Sequence, residues 1–344
     1  MKTAWCGVLA SCVTLTFVGC GGAAEPGDDT PIDSGAAAVD APAPGETGSA
    51  ETGASDVGVD GAIGEVGDAA LVPGPKLKFM TFNIRVGTAA DGPNHWDLRK
   101  GLVFDVLKNH DADVVGLQED LRFQLLAIQD AVPGYKRVGV GAKDGKSDGE
   151  HCAILYRTST LALKDSGTFW LSDKPLVPGS TTWGNDLPRV VTWARLAVRE
   201  TGYDFYLYNT HFDHISQSSR EKSAMLVMST IDKQLPKAPF LVMGDLNVQE
   251  DNVVTRYFKG AAKIGGEANP IPLFDTFRVL HPDDPNARTA HGFGGAIKGD
   301  KIDYIYMATK NVLSAQIDHY NVDGRYPSDH YPVVATVKLP PAPP

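Results

Sequence analysis

The sequence predicts an α/β protein in which two mostly antiparallel sheets pack face to face between flanking helices. Three observations predict it. From Lys76 onward, short apolar runs recur, most of them too short for helices and bounded by Gly, Pro, Asn or Asp. Only three segments carry the 3.6-residue spacing of an amphipathic helix. No internal repeat of 20–50 residues is visible, which argues against a solenoid or propeller. Many strands with few helices make two packed sheets the natural architecture.

The elements follow in order. Residues 1–20 hold Lys2 and an apolar stretch from Ala4 to Gly19, short for a membrane span and shaped like a secretory signal. It ends in Phe17-Val18-Gly19-Cys20-Gly21, which resembles the lipobox of bacterial lipoproteins, where the Cys becomes the lipidated first residue. A plain signal peptide cut near Gly22 or Ala24 is the alternative. The resemblance implies an exported cell-envelope lipoprotein held in the membrane by lipid on Cys20, and Gly21 favours the outer membrane. Residues 21–75 are rich in Gly, Ala and Pro, lack aromatics, and carry eleven acids without one Lys or Arg. They cannot bury enough apolar surface to offset ordering entropy, so a disordered acidic linker is expected. Its reach is roughly 40 Å as a Gly-rich coil. The formal net charge of −10 therefore belongs to this linker, and residues 76–344 are charge-balanced. Of four cysteines, Cys6, Cys12 and Cys20 fall in the leader. Cys152 alone is left in the body, as a small buried hydrophobe with no disulfide partner.

Within the body, strands are expected over Leu77–Val86, Asp113–Gln118, Tyr135–Val140, His151–Tyr156, Leu161–Trp170, Arg189–Val198 and Asp204–Asn209, then at Phe240–Gly244, Lys301–Met307, Val312–Asp318 and Pro332–Leu339. Helices are expected from an Asp97 cap through Leu107, over Leu121–Ala131, and from a capping box at Ser218-Ser219-Arg220-Glu221 through Leu235.

The polar residue that ends each buried strand carries the chemistry. Phe79-Met80-Thr81-Phe82 ends in Asn83, Val114-Val115-Gly116-Leu117-Gln118 in Glu119, and Tyr206-Leu207-Tyr208-Asn209-Thr210 in His211. Phe240-Leu241-Val242-Met243-Gly244 delivers Asp245 and Asn247, Lys301-Ile302 delivers Asp303, and Ser328-Asp329-His330 precedes the last strand. Period-2 geometry puts Asp245 and Asn247 on one side of their strand mouth. Any one of these residues is an ordinary cap or turn former. Six strand ends offering only Asn, Asp, Glu and His point instead to one polar site.

In this order and spacing the motifs Thr81-Phe82-Asn83, Leu117-Gln118-Glu119, Asn209-Thr210-His211, Gly244-Asp245-Leu246-Asn247, Ile302-Asp303-Tyr304-Ile305 and Ser328-Asp329-His330 resemble the endonuclease/exonuclease/phosphatase superfamily over residues 76–339. The resemblance implies a four-layer α/β sandwich and divalent-metal-dependent hydrolysis of a phosphate ester. It implies Glu119 as principal metal ligand, assisted by Asn83 with Asp329 close by, and Asp245 as the group that activates water. Asn247 and Asn83 position phosphate and water, and His330 is a cationic donor oriented by Asp303. Glu150, before the His151 strand, pairs with His211 at the leaving oxygen. Hard oxygen ligands without Cys favour Mg²⁺, with Mn²⁺ as the alternative.

Substrate contacts are expected from Arg85, Arg189, His214 and His291; His214 has the alternative of capping the turn before Ser218. A charge-balanced body without a Lys/Arg run lacks the basic face that neutralises a polynucleotide backbone. A small or sugar-linked phosphate ester is therefore the first expectation. An extracellular nuclease acting on DNA or RNA is the second, and a tethered binding module that has lost activity is the reading from another class. No protein partner is inferred, and a monomer is expected.

Overall fold

The computed structural model describes residues 73–341, and the leader, Cys20 and all of the linker up to residue 72 lie outside them. In chain order the elements are β1 (Lys76–Asn83), α1 (Trp96–His110), β2 (Val114–Gln118), α2 (Arg122–Ala131), β3 (Tyr135–Val138), β4 (Ile154–Arg157), β5 (Leu161–Trp170), β6 (Val190–Val198) and β7 (Asp204–His211). They continue with α3 (Gln217–Lys233), β8 (Phe240–Asp245), α4 (Val253–Phe258), β9 (Lys263–Ile264), β10 (Glu267–Ala268), β11 (Phe274–Asp275), α5 (Thr276–Leu280), β12 (Asp303–Met307), β13 (Val312–Ile317) and β14 (Val333–Lys338).

Two six-stranded sheets result, ordered β13-β14-β1-β2-β4-β3 and β11-β12-β8-β7-β6-β5. Each has one parallel pair at its centre, β1 with β2 and β7 with β8, and the other neighbours run antiparallel. Alternation along the strands builds the layers. Phe79, Val114 and Ile154 of the first sheet meet Phe205, Leu207, Leu241 and Ile305 of the second in one buried cluster. The alternate residues Met80, Phe82, Val115 and Leu117 pack under α1 and α2, while Tyr206, Tyr208, Val242 and Tyr306 pack under α3 and α4. Helices, sheet, sheet and helices make the four layers. Among the described residues no helix is long and apolar enough to cross a membrane.

Several boundaries differ from the sequence reading, each for a local reason. Helix α3 starts two residues earlier, because Ser216 rather than Ser218 accepts the cap bond, from the Ser219 amide. Helix α1 is capped by the His95 ring accepting from the Asp97 amide, which puts Asp97 inside the first turn. Leu235 lies beyond α3 and is exposed, as is Leu98 on the outer face of α1. The strand expected from His151 starts only at Ile154, since His151 is tied to Asp120 by a single bridge. Trp193 is half-buried on the outer face of its sheet, tilted against Tyr206.

Both parallel pairs deliver their strand ends to one edge of the sandwich. Gly244, with φ of 144°, lies so close to β7 that a Cβ there would fall on the Thr210 carbonyl. That contact is why the apolar run of β8 must close in glycine before Asp245.

Candidate active site

At this edge three non-glycine residues take the left-handed backbone conformation: Arg85 (φ 57°), Glu119 (φ 59°) and Asn247 (φ 51°). Each follows a parallel strand, β1, β2 or β8, within one or two residues. The conformation costs each of them about 1–2 kcal/mol, so the fold holds strain where strand ends turn into the site.

A chain of hydrogen bonds runs from one sheet to the other. The buried Asn83 amide Nδ2 donates to Glu119 Oε1 (3.0 Å) and to Asp245 Oδ2 (3.1 Å), and its Oδ1 accepts from the Arg85 amide (2.9 Å). Asp245 Oδ1 accepts from the Asn247 amide (2.8 Å). Its Oδ2 also faces His211 Nε2 at 3.5 Å and His330 Nδ1 at 3.8 Å. Burial, and after it the neighbouring Asp303 charge, push the Asp245 carboxyl up to about 7.

Asp303, directly opposite Asp245 in the β8–β12 register, accepts from His330 Nδ1 at 2.9 Å. Burial opposes a charge on that ring, yet the carboxylates of Asp303, Asp245 and Asp329 overcome it and hold the His330 pKa well above the usual value. His211 goes the other way. Its burial, then the Arg189, His330 and His214 charges, keep it neutral.

The expected Glu150–His211 couple is not a direct one. Glu150 Oε2 lies 3.9 Å from His211 Nδ1, and Arg189 Nη1 stands between them, 3.1 Å from Glu150 and 3.0 Å from His211. A guanidinium only donates, so His211 Nδ1 accepts and its proton resides on Nε2, towards Asp245 Oδ2. Arg189 Nη2 reaches His214 Nδ1 at 3.2 Å. His214 therefore lines the site, and the turn is capped by Asp213, whose Oδ1 accepts from the Ile215 and Ser216 amides.

Two further expectations change. Asn247 Nδ2 donates to the Phe212 carbonyl (3.0 Å), so the amide expected at the phosphate also anchors the β7 turn where it lines the pocket. His291 lines no part of the site pocket. Its ring is buried on Tyr331, with centroids 3.8 Å apart, its backbone amide bonds the Asp329 carbonyl (2.8 Å), and burial lowers its pKa to about 4.

The remaining strand-end groups close around a pocket of about 310 Å³ lined by Arg85, Glu119, Glu150, Arg189, His211, His214, Asp245, Asn247, Asp329 and His330. A larger cleft of about 490 Å³ opens beside Phe274 and Arg278, but it gathers none of these residues.

Two groups of ligands present themselves for a divalent cation. Asp245, Asp303 and His330 offer atoms within 4.8 Å of one another. The Asp303 bond and the raised pKa keep the His330 ring protonated, however, and a metal ligand must be deprotonated. Glu119 and Asp329 suit a hard cation better. Both carboxylates sit at the solvent-reached rim with the Arg85 guanidinium between them, 3.9 and 3.7 Å away. Burial, and after it the Glu119 charge, raise the Asp329 pKa, and a cation between the two carboxylates would offset that repulsion. Asn83, expected to assist as a ligand, accepts from the Arg85 amide through its oxygen and donates through its nitrogen to Glu119 and Asp245, so it orients both carboxylates and keeps a second lone pair on its oxygen.

Sequence reasoning missed Arg99. This fully buried arginine on α1 donates to the carbonyls of Ile84, Arg85, Asn94 and Pro327, tying the end of β1 to the loop that carries Asp329 and His330. A basic residue next to Lys100 in the first turn of a helix carries no signal that sets it apart from a solvated side chain. Asn209 was legible as part of a motif but without a role; its amide bonds the Leu117 and Ala153 carbonyls (2.7 and 3.0 Å) and accepts from Gln118, joining the two sheets under the site.

Comparison with known proteins places these findings. A model of the Endonuclease/Exonuclease/phosphatase family matches residues 80–330. A solved endonuclease/exonuclease/phosphatase from Bacteroides vulgatus is 32% identical, with a TM-score of 0.68, covering 77% of this chain and 99% of that one. A mannosyl-6-phosphatase from Bacteroides thetaiotaomicron is 29% identical, with a TM-score of 0.67, covering 76% and 99%. An RNA exonuclease of Saccharomyces cerevisiae is 27% identical over 181 residues, 44% of this chain and 49% of its own length.

Proposed function

The chain belongs to the endonuclease/exonuclease/phosphatase family, and on that premise we propose that it hydrolyses a small or sugar-linked phosphate ester with the aid of a divalent cation. The observation that carries this reading is the pairing of Asp245, a buried carboxyl pushed up to about 7, with the His330 cation 3.8 Å away on the Asp303 carboxylate. A base with that affinity takes a proton from water near neutral pH. A cation held by a neighbouring acid donates to phosphate oxygens as their charge grows.

In this reading Asp245 accepts the proton of the attacking water while the Asn247 backbone amide and Asn83 fix its carboxylate. His330 donates to a non-bridging oxygen. Arg85 at the rim and Arg189 beneath it supply positive charge to the phosphate. Neutral His211 keeps its Nε2 proton for an oxygen of the ester. Glu119 and Asp329 would hold Mg²⁺ or Mn²⁺, which when bound neutralises phosphate charge.

A nuclease is the second reading, favoured by the yeast RNA exonuclease relative. The test is phosphate or nitrophenol release from p-nitrophenyl phosphate and bis-p-nitrophenyl phosphate, with nicking of plasmid DNA alongside. Each is run with Mg²⁺, Mn²⁺ or EDTA and against Asp245→Ala. Turnover no greater than that of Asp245→Ala under every metal refutes an enzyme and leaves the binding module. Nicking faster than ester cleavage selects the nuclease. For the envelope, we propose lipid attachment at Cys20; Cys20→Ser then moves the protein from the membrane to the soluble fraction, and an unchanged distribution rejects it.

A further inference from the structure

A second cavity of about 210 Å³ opens beside the catalytic pocket, and Val86, Glu150 and Leu187 line both. One wall is the loop from Ala142 to Glu150, the other is Leu187-Pro188, and Thr88 stands at the rim.

These walls are built. Trp170 Nε1 donates to the Ala142 carbonyl (2.6 Å), and so does the Gly179 amide (3.1 Å). Inside the loop Asp144 Oδ1 accepts from the amides of Lys146, Ser147 and Asp148. Leu187-Pro188 leads directly into buried Arg189, which is fixed by Glu150, His211 and His214. A preformed cavity next to a reacting phosphate is where the other half of the ester belongs.

From this geometry, and resting on the phosphoesterase reading above, we propose that the side cavity is the leaving-alcohol subsite and takes an uncharged, hydroxyl-bearing ring the size of one hexose. The volume sits below the roughly 300–1,000 Å³ of whole-ligand pockets, as suits part of a ligand. Val86, Leu121, Leu187 and Pro188 offer apolar surface to the C–H face of a ring. Glu150, held by Arg189 at 3.1 Å, accepts from hydroxyl groups, and the cavity lining offers no unpaired cation to the second phosphate of a polynucleotide. Lys143 on the far rim, 3.8 Å from Asp148, is already paired. In hydrolysis the water oxygen bonds to phosphorus and the bond from phosphorus to the ester oxygen breaks. That oxygen takes a proton, and the free alcohol is left in this cavity.

The experiment fills the cavity from its two exposed rims with Thr88→Trp and Lys143→Trp, residues that line it without lining the catalytic pocket. Phosphate release from mannose 6-phosphate is measured in the full chain, together with competitive inhibition by inorganic phosphate. The expected result is a fall of at least tenfold in kcat/KM, carried by KM, with the phosphate inhibition constant moving less than twofold. Asp245-dependent turnover that both variants leave untouched overturns the subsite while the phosphoesterase reading stands. So does an inhibition constant that moves in step with KM, or faster wild-type turnover of a thymidine dinucleotide than of mannose 6-phosphate. Mannose 6-phosphate turnover no better than that of Asp245→Asn overturns the subsite while p-nitrophenyl phosphate is still hydrolysed; if neither ester is turned over above that variant, the phosphoesterase reading falls as well.

Discussion

Replacing Asp303 by Asn tests the electrostatic core of the site with almost no change of shape. The side chain is buried, its Oδ2 accepts from His330 Nδ1 at 2.9 Å, and its backbone amide donates to Thr289 Oγ1 at 3.2 Å, so the amide isostere fits the same space. What is lost is a charge-assisted hydrogen bond to an imidazolium, worth about 1.5–3 kcal/mol. At about 1.4 kcal/mol per factor of ten, kcat falls roughly 10- to 150-fold. The pH profile is more diagnostic. In the proposed mechanism the active form needs Asp245 ionised and His330 protonated. Burial first and the Asp303 charge second raise Asp245, so removing that charge lets Asp245 ionise at lower pH and the acid limb moves down. The same charge keeps the His330 proton against burial, so without it the ring deprotonates earlier and the alkaline limb also moves down. Initial rates of phosphate release from p-nitrophenyl phosphate across pH 5–10 show both limbs. A bell that stays in place, with kcat within threefold of wild type, refutes the reasoning.

Other consequences follow from the same contacts. Lys301, fully buried and 2.6 Å from Asp275, leaves an unpaired acid when mutated to Met; a loss of about 3–5 kcal/mol is expected in urea unfolding, most of it recovered in Lys301→Met/Asp275→Asn. Arg99→Met strips donors from four carbonyls next to the site, so urea unfolding should show a loss of about 3 kcal/mol. In the same variant kcat should drop further than that of any substitution on the outer face of α1. Dialysis against EDTA abolishes phosphate release and Mg²⁺ or Mn²⁺ restores it, while Glu119→Gln raises the Mg²⁺ concentration needed for half-maximal rate; a rate indifferent to EDTA removes the cation from the proposal.

The strand-end pattern was legible because a buried apolar run that terminates in Asn, Asp, Glu or His carries a desolvation cost that only pairing offsets. Such residues declare themselves along the chain, and Asn83, Glu119, His211, Asp245, Asp303 and His330 do converge in the structure. Arg189 was legible as a candidate contact but not as the bridge between Glu150 and His211. Its guanidinium reaches His211 because β6 runs antiparallel to β7 with Val191 opposite Thr210, which sets Arg189 alongside the end of β7, a register no local pattern encodes. The cap of α3 shows a smaller failure of the same kind. Ser216, Ser218 and Ser219 all have cap chemistry, and the Asp213 turn selects among them by taking the Ser216 amide. The anchoring role of Asn247 was not legible because its spacing from Asp245 is right for a shared face, whereas its left-handed backbone swings the amide towards Phe212.

The distribution of the site between the two sheets has a consequence for stability and rate together. Asn83, Glu119, Glu150, Asp329 and His330 come from the ends or flanks of strands in the first sheet; Arg189, His211, Asp245 and Asp303 come from those of the second. The bonds Asn83–Asp245, Arg189–Glu150 and His330–Asp303 therefore all cross from sheet to sheet. Their lengths are set by the packing of Phe79 edge-on against Phe205 and by the Asn209 bonds to Leu117 and Ala153, and not by either sheet alone. Close-packed interiors shift in discrete steps when a side chain is cut. A slip of one sheet on the other thus separates Asp303 from His330, and Asn83 from Asp245, while every strand remains paired. Activity in this fold is bound to the sheet interface more tightly than secondary structure is.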